Sequence, residues 1–408
     1  MPPDPIQVLI IDDDPTMTAL LRGLLRGLGA DLPCEATCVG TGALARVEFK
    51  RGIHQLALLD YLLPDEDGLS LLAAVQGLPE DRRPVVIMLT GTGSEQVAVE
   101  AMKLGAKDYM VKTGVNLPTL RRAVLGALER HRLEEQLAAS TAQLRRHNAQ
   151  LEADLTMARE VQQALLPQQD PVFPVDAAPG QERLRFAHRW LPSHKVAGDY
   201  FMVVPVSDTA TGVFLCDVMG HGVRAALITA LLRGLLREQQ ALAADPGAFL
   251  SALNHQLQAL LARVGELVFV TAVYLVADTH AGEMRLANAG HPLPLHLERK
   301  AGRLTPCTMP DGPGPALGFM SEFTYETLHR PLAAGDAVLL FTDGIYEVAD
   351  SGGEEFGLKR LYEAVTNRLA ENSSGLMDGL LATVRTHLGD PAQPLPDDVC
   401  LVTVDCVG

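Results

Sequence analysis

Four short segments in the C-terminal half each place an aspartate at the end of an apolar run. They are Ala197-Gly198-Asp199-Tyr200, Asp217-Val218-Met219-Gly220-His221-Gly222, Phe341-Thr342-Asp343-Gly344 and Asp397-Asp398-Val399-Cys400-Leu401. Clustered carboxylates at strand ends suit a pair of hard divalent cations. Mg²⁺ and Mn²⁺ take oxygen ligands, and a two-metal site acidifies water for phosphoester hydrolysis. A lone Asp-Gly step usually marks a turn. Four such segments in one domain point to a site that needs neither a cysteine nor a serine nucleophile. Gly220 and Gly222 would let the backbone approach closely beside it.

A second set of carboxylates lies near the N-terminus. Asp12 and Asp13 end the first apolar run and Asp60 ends the third. In an open parallel sheet, ligands bind at the carboxyl ends of strands. Three carboxylates converging there carry a high cost unless a cation joins them, and Mg²⁺ is the natural candidate. Thr90 ends the fourth strand and Lys112 follows the fifth, so a hydroxyl and an ammonium complete a cradle for phosphoryl oxygens. Asp60 can then act as a nucleophile that takes up a phosphoryl group.

The elements that must position these residues are legible in the hydropathy pattern. From residue 6 to about 125, apolar runs (Val8–Ile11, Leu56–Leu59, Val85–Leu89, Tyr109–Val111) alternate with amphipathic stretches such as Met17–Leu28 and Gly68–Val75. This predicts a doubly wound α/β domain with a parallel sheet and helices on both faces over residues 5–125. Residues 119–166 contain no proline and only one glycine, Gly126. A heptad runs from Leu137 through Thr141, Leu144, Asn148, Leu151, Leu155, Ala158 and Gln162 to Leu165. It predicts a helical coiled-coil linker over 126–166 that joins two copies of the chain, weak because three of its four a positions are polar. Residues 167–182 read as a short linker. Over 183–408, strands (Gly212–Cys216, Leu267–Val276, Ala337–Phe341, Cys400–Val404) and helices (Gly222–Glu238, Pro246–Val264, Leu358–Leu369, Ser374–Leu388) come in separate runs. That predicts an α+β domain of stacked sheets flanked by helices.

Composition narrows the class. The 408-residue chain is 47% hydrophobic and 21% charged, enough to bury sizeable cores. Its net charge of −16 argues against nucleic-acid binding and against adhesion to acidic membranes. No apolar run is long enough for a membrane span, and Met1-Pro2-Pro3-Asp4-Pro5 does not open a signal peptide. Six cysteines without Cys-x-x-Cys spacing fit free thiols in a reducing cytoplasm.

Ile10-Ile11-Asp12-Asp13-Asp14-Pro15, Asp60-Tyr61-Leu62-Leu63-Pro64-Asp65-Glu66-Asp67-Gly68, Leu89-Thr90-Gly91 and Tyr109-Met110-Val111-Lys112 together resemble the two-component receiver domain. That resemblance implies a flavodoxin-like five-stranded parallel sheet, with Asp60 as phosphoacceptor, Asp12 and Asp13 as Mg²⁺ ligands with Asp60, Thr90 and Tyr109 as the switch pair, and Lys112 as the phosphate contact. Thr113 stands where the family usually has proline.

The last domain resembles the metal-dependent Ser/Thr protein phosphatases (PPM), specifically the RsbU/SpoIIE group. So does the preceding segment Ala158-Arg159-Glu160-Val161-Gln162-Gln163-Ala164-Leu165-Leu166-Pro167. By that resemblance two Mg²⁺ or Mn²⁺ ions are held by Asp199, Asp217 and the Val218 carbonyl on one side, and by Asp217, Asp343 and Asp397 on the other. Asp398 is the alternative to Asp397. His221 is either a proton donor to the leaving oxygen or a structural histidine. Lys195 is a candidate substrate-phosphate contact. Asn288-Ala289-Gly290-His291-Pro292 reads as a buried turn shaping the core. Ala197, Met202 and Cys400 replace the family's usual glycine, acid and threonine. The expected function is a response regulator whose Asp60 phosphorylation controls a protein phosphatase. Its expected partners are a sensor histidine kinase or phosphotransfer protein and a phosphorylated anti-sigma-factor antagonist. The rival is a non-catalytic adaptor like the RssB-type regulators, which would not need four aspartates.

Overall fold

The computed structural model describes residues 4–91, 95–167, 171–174, 177, 180–220, 222–261, 268–390 and 393–407. They form two compact units, residues 1–148 and 149–408.

The first unit is built on β1 (Ile6–Ile11), α1 (Pro15–Arg26), β2 (Cys34–Val39), α2 (Gly42–Arg51), β3 (Leu56–Asp60), α3 (Gly68–Gln76), β4 (Val85–Thr90), α4 (Glu95–Lys103) and β5 (Asp108–Val111). The strands pair in parallel in the order β2-β1-β3-β4-β5. β3 and β4 are buried along their whole length, and so read as continuous apolar runs. The edge strand β2, Cys-Glu-Ala-Thr-Cys-Val, is only half-buried and gives no such signal. Because all five strands run in parallel, Asp12, Asp60, Thr90 and Lys112 gather at one end of the sheet. Pro15 opens α1 with its missing N–H at no cost, and Asp14 caps it through the Thr16 N–H.

One helix, α5 (Leu117–Leu165), runs from the first unit into the second. Its first turns bury Leu120, Ala123, Val124 and Ala127 against β1, β3 and β4. The middle leaves the d-position leucines in solvent: Leu137, Leu144 and Leu151 are 68%, 60% and 57% exposed. An apolar stripe at heptad spacing is the face a second helix would cover. The heptad does not continue to Leu165, however. Gln162, expected at an a position, is buried in the chain's own second domain. The expected linker at 167–182 also contains a short strand, β6 (Val172–Phe173), paired with the next one.

The second unit continues with β7 (Leu184–Leu191), β8 (Tyr200–Pro205), β9 (Ala210–Val218), α6 (Val223–Glu238), α7 (Pro246–Leu261), β10 (Val270–Asp278), β11 (Glu283–Ala289), β12 (Leu295–Glu298), β13 (Arg303–Pro306), β14 (Leu328–Pro331), β15 (Ala337–Phe341), α8 (Gly357–Thr366), α9 (Ser373–Leu388) and β16 (Val399–Cys406). Two antiparallel sheets form, β14-β11-β10-β9-β8 and β13-β12-β15-β16-β7-β6. Period-two alternation sends β15 and β16 side chains to two cores. Val338, Leu340, Val402 and Val404 join the first sheet, α6 and α7. Leu339, Phe341, Val399 and Leu401 join α8 and α9. The result is the expected stack of sheets flanked by helices.

Where the sheets meet the site, the backbone is tightly packed. A Cβ on Gly344 would stand 2.0 Å from the Asp398 carbonyl oxygen, which is main chain and cannot swing away. Gly344→Ala is therefore expected to destabilise the second domain by about 1–3 kcal/mol or more. The check is the urea midpoint followed by fluorescence of Trp190, the chain's single tryptophan.

Candidate functional site

Each sheet of the sandwich supplies two of the four aspartates. Asp199 immediately precedes β8 and Asp217 lies next to the end of β9, in the first sheet. Asp343 follows β15 by two residues, and Asp397 precedes β16 by two, in the second. Register fixes both pairs, with Tyr200 opposite Cys216 and Phe341 opposite Leu401.

Side-chain hydrogen bonds tie the sheets together here. The Thr342 hydroxyl donates to Asp199 Oδ2 at 2.7 Å and accepts from the Cys400 N–H at 2.8 Å. Asp398 Oδ2 accepts from the Gly198 N–H at 2.7 Å. Its Oδ1 accepts from the Ser193 N–H and hydroxyl at 2.7 and 2.9 Å. Asp398 is thus a buried carboxylate occupied with holding the loop before β8, and its exposed neighbour Asp397 has no such task. The sequence raised this pair without separating the two roles, and it did not single out Thr342.

The acids act on one another electrostatically. Burial pushes the Asp199 carboxyl well above its ordinary range, and the Asp217 charge adds to it. Asp217 rises to about 7, through burial and then the charges of Asp343 and Asp397. Asp343 rises through burial and the Asp397 charge. Glu347, which sequence reasoning missed, is raised by burial and by Asp343. Among the described residues no lysine or arginine pairs with Asp199, Asp217, Asp343 or Asp397. An all-oxygen, anionic donor set without a built-in counter-charge fits Mg²⁺ or Mn²⁺. These carboxylates do not close into one tight trio. Two cations about 3.5–4 Å apart divide their ligands over a wider set.

Gly198 leaves the room such a site needs. A Cβ there would stand 2.9 Å from the Val218 carbonyl oxygen and 3.3 Å from Asp217 Oδ1. The exposed Lys195 ammonium lies 3.5 Å from the Thr156 hydroxyl of α5. His221 lies outside the described residues. His291 is buried, with Nδ1 2.9 Å from the Thr271 hydroxyl, and Asn288 bonds the His291 backbone through both N–H and C=O, so the expected turn forms. Cys216 and Cys400 are fully buried, and burial holds their thiols well above the usual range, which disfavours the thiolate form.

In the first unit, Asp12, Asp13 and Asp60 offer oxygens within 4.8 Å of one another, the one set of three such ligands found among the described residues. Lys112 Nζ sits 2.8 Å from both Asp12 Oδ2 and Asp60 Oδ2. Burial raises the Asp60 carboxyl, the Lys112 hydrogen bond opposes this, and the Asp12 charge reinforces it. Burial would lower Lys112, but its hydrogen bonds to Asp12 and Asp60 raise it overall. Thr90 is buried at the end of β4 and Tyr109 is 46% exposed on β5. Gly68 lets the loop after β3 fold back, since a Cβ there would meet the Asp60 carbonyl oxygen at 2.3 Å.

Comparison with known proteins identifies both domains. Residues 8–125 match the response regulator receiver domain, and residues 207–407 match the family of stage II sporulation protein E (SpoIIE). The chain joins a receiver domain to a SpoIIE-type phosphatase domain. Two curated relatives are phosphoserine phosphatases of Bacillus subtilis. RsbU is 24% identical over 60% of this chain and 70% of its own length, and RsbP is 23% identical over 52% and 50%. The chain thus spans about half of RsbP. The SiaA-PP2C domain of Pseudomonas aeruginosa shares the fold, with a TM-score of 0.53 and 21% identity over 63% of this chain and 97% of that one. The SpoIIE-type domain is of the protein serine/threonine phosphatase kind, which is metal-dependent. No helix among the described residues is long and apolar enough to cross a membrane.

The raised Asp217 carboxyl makes metal-free stability depend on pH. Below pH 3.8 it is protonated whether folded or unfolded; between 3.8 and about 7 only the folded chain keeps the proton. Stability without metal therefore falls as pH rises through that window. A divalent cation offsets the loss by binding the ionised form. The gain in Tm from millimolar Mg²⁺ over EDTA should be larger at about pH 8 than at about pH 5. Equal gains at both would show that Asp217 is not part of the cation site.

Proposed function

We propose that phosphorylation of Asp60 controls hydrolysis of phosphoserine or phosphothreonine on a protein substrate by the SpoIIE-type domain. The observation that carries this is the convergence of Asp199, Asp217 and Asp343, each raised by burial and by neighbouring carboxylates, with no lysine or arginine paired to them among the described residues.

In this reading Asp199, Asp217 and the Val218 carbonyl hold one Mg²⁺ or Mn²⁺, and Asp217, Asp343 and Asp397 hold a second. Bound there, the pair supplies positive charge to the phosphoryl oxygens and a water acidic enough to attack phosphorus at neutral pH. Thr342 orients Asp199 and Asp398 orients the loop that carries it. Lys195 leaves its long contact with Thr156 to meet the substrate phosphoryl group. In the receiver Asp12, Asp13 and Asp60 hold Mg²⁺, Asp60 takes the phosphoryl group, Lys112 contacts it, and Thr90 and Tyr109 respond to it.

A sensor histidine kinase or phosphotransfer protein supplies that phosphoryl group. The names of RsbU and RsbP support a phosphoserine protein as substrate, and we take it to be an anti-sigma-factor antagonist. The exposed Leu137, Leu144 and Leu151 stripe supports a homodimer through α5. The net charge of −16 favours protein partners over nucleic acid or acidic membranes, and six free cysteines suit the cytoplasm.

The deciding experiment measures Mn²⁺-dependent phosphate release from a phosphoserine protein by the full chain, with and without beryllofluoride on Asp60. Turnover should change with beryllofluoride in the wild type and not in Asp60→Ala. Asp217→Asn or Asp343→Asn should lower turnover at least about a hundredfold. A folded, metal-supplied wild type without turnover would point instead to an adaptor. Independently, Leu144→Glu should shift the chain from dimer to monomer in sedimentation, because it places a charge in the proposed seam.

A further inference from the structure

Gln162 is buried on a stretch of α5 where Val161, Gln163 and Ala164 are exposed. A buried amide is costly unless its donors and acceptor are matched, and here they are. Its Oε1 accepts from the Ala197 N–H at 3.0 Å, and its Nε2 donates to the Ala197 carbonyl at 2.7 Å. Nε2 also lies 3.2 Å from the Thr229 hydroxyl of α6, which itself donates to the Ala226 carbonyl. Ala197 presents both an N–H and a C=O, so only one orientation of the Gln162 amide satisfies it.

Ala197 begins the tripeptide that ends in Asp199, and the rest of its backbone is also held. The Gly198 N–H bonds Asp398 and the Gly198 carbonyl accepts from the Val218 N–H at 3.3 Å. The Asp199 carbonyl accepts from the Trp190 indole N–H at 3.1 Å. Those partners belong to the sandwich itself, whereas Gln162 comes from the helix that enters from the receiver side of the sequence. Lys195, near the start of the same loop, reaches Thr156 one and a half turns earlier on that helix. A slip of α5 by one residue is about 1.5 Å and 100° of rotation, enough to withdraw Gln162 from a 2.7 Å bond.

We propose that Gln162 is a positioning residue: it holds the Ala197-Gly198-Asp199 backbone in the geometry that gives Asp199 its place among the metal-binding carboxylates. The seating of the last turn of α5 thereby sets the metal affinity of the phosphatase domain. This deepens the function proposed above and rests on it.

Trp190 provides a readout independent of catalysis, because the one tryptophan of the chain touches the Asp199 carbonyl. Mg²⁺ is titrated into the full-length protein while Trp190 fluorescence is followed. Gln162→Leu keeps the bulk and removes every bond. It should move the midpoint to about 10–100-fold higher Mg²⁺, with turnover restored at saturating metal. Thr229→Val removes only one of the bonds and should move it less, in the same direction. A folded Gln162→Leu with an unchanged midpoint overturns the proposal. If that variant does not fold, an unchanged midpoint in Thr229→Val overturns it. A wild type whose Trp190 and turnover both ignore metal overturns the phosphatase reading, and this proposal with it.

Discussion

The C-terminal domain is organised around a repulsion. Asp199, Asp217 and Asp343 each lose water to burial, and each is raised further by carboxylates around it: Asp199 by Asp217, Asp217 by Asp343 and Asp397, and Asp343 by Asp397. Left alone, such a cluster would hold protons or drive the two sheets apart. The protein supplies no lysine or arginine to offset it among the described residues, so the charge waits for a cation from solution. That choice separates a catalytic centre from a structural ion pair. A resident lysine would fill the space and satisfy the oxygens, whereas an ion can share its coordination with substrate and water.

Holding the repelling groups in place requires attractive contacts nearby, and these run between the sheets. Thr342 joins the turn after β15 to Asp199 before β8, and Asp398 joins the start of β16 to Gly198. Both are hydrogen bonds to a carboxyl oxygen, at 2.7 Å each. Both close across the junction where the carboxylates push apart. The absence of a Cβ at Gly198 and Gly344 lets the backbones come near enough for those bonds to form. The receiver meets the same problem with a different solution. Asp12 and Asp60 are buried together, but Lys112 lies between them at 2.8 Å. The resident ammonium offsets the paired carboxylates directly, which the acids of the second unit lack among the described residues.

Much of this was legible in the sequence because strand ends are where burial stops. An apolar run that finishes in Asp or Thr marks both the element and the group it delivers, and Asp12, Asp60, Thr90, Asp217 and Asp343 lie at or beside such ends. Ala337–Phe341 was read to the residue, since a central strand is apolar throughout. What stayed hidden was of two kinds. The edge strand β2 alternates small, polar and apolar residues and carries no strong period. The division of labour between Asp397 and Asp398 depends on which side chain meets the Ser193 and Gly198 amides, a long-range fact that no local pattern encodes.

Gln162 shows the limit most clearly. Its spacing from Leu155 and Leu165 fits a heptad, and in a two-stranded coil a polar a residue would fix register against a second helix. In the folded chain the same polarity meets the Ala197 peptide instead. Both readings assign it the same physical task, because a buried amide specifies one alignment by making every other alignment leave its bonds unmade. Only the partner differs. The leucine stripe at 137, 144 and 151 remains free to meet another helix, while the next turns of α5 are already committed to the metal-binding domain. One continuous helix thus carries two specificities in series, so a change in how its exposed leucines are paired has a route along α5 and through the Gln162 hydrogen bonds to the loop that presents Asp199.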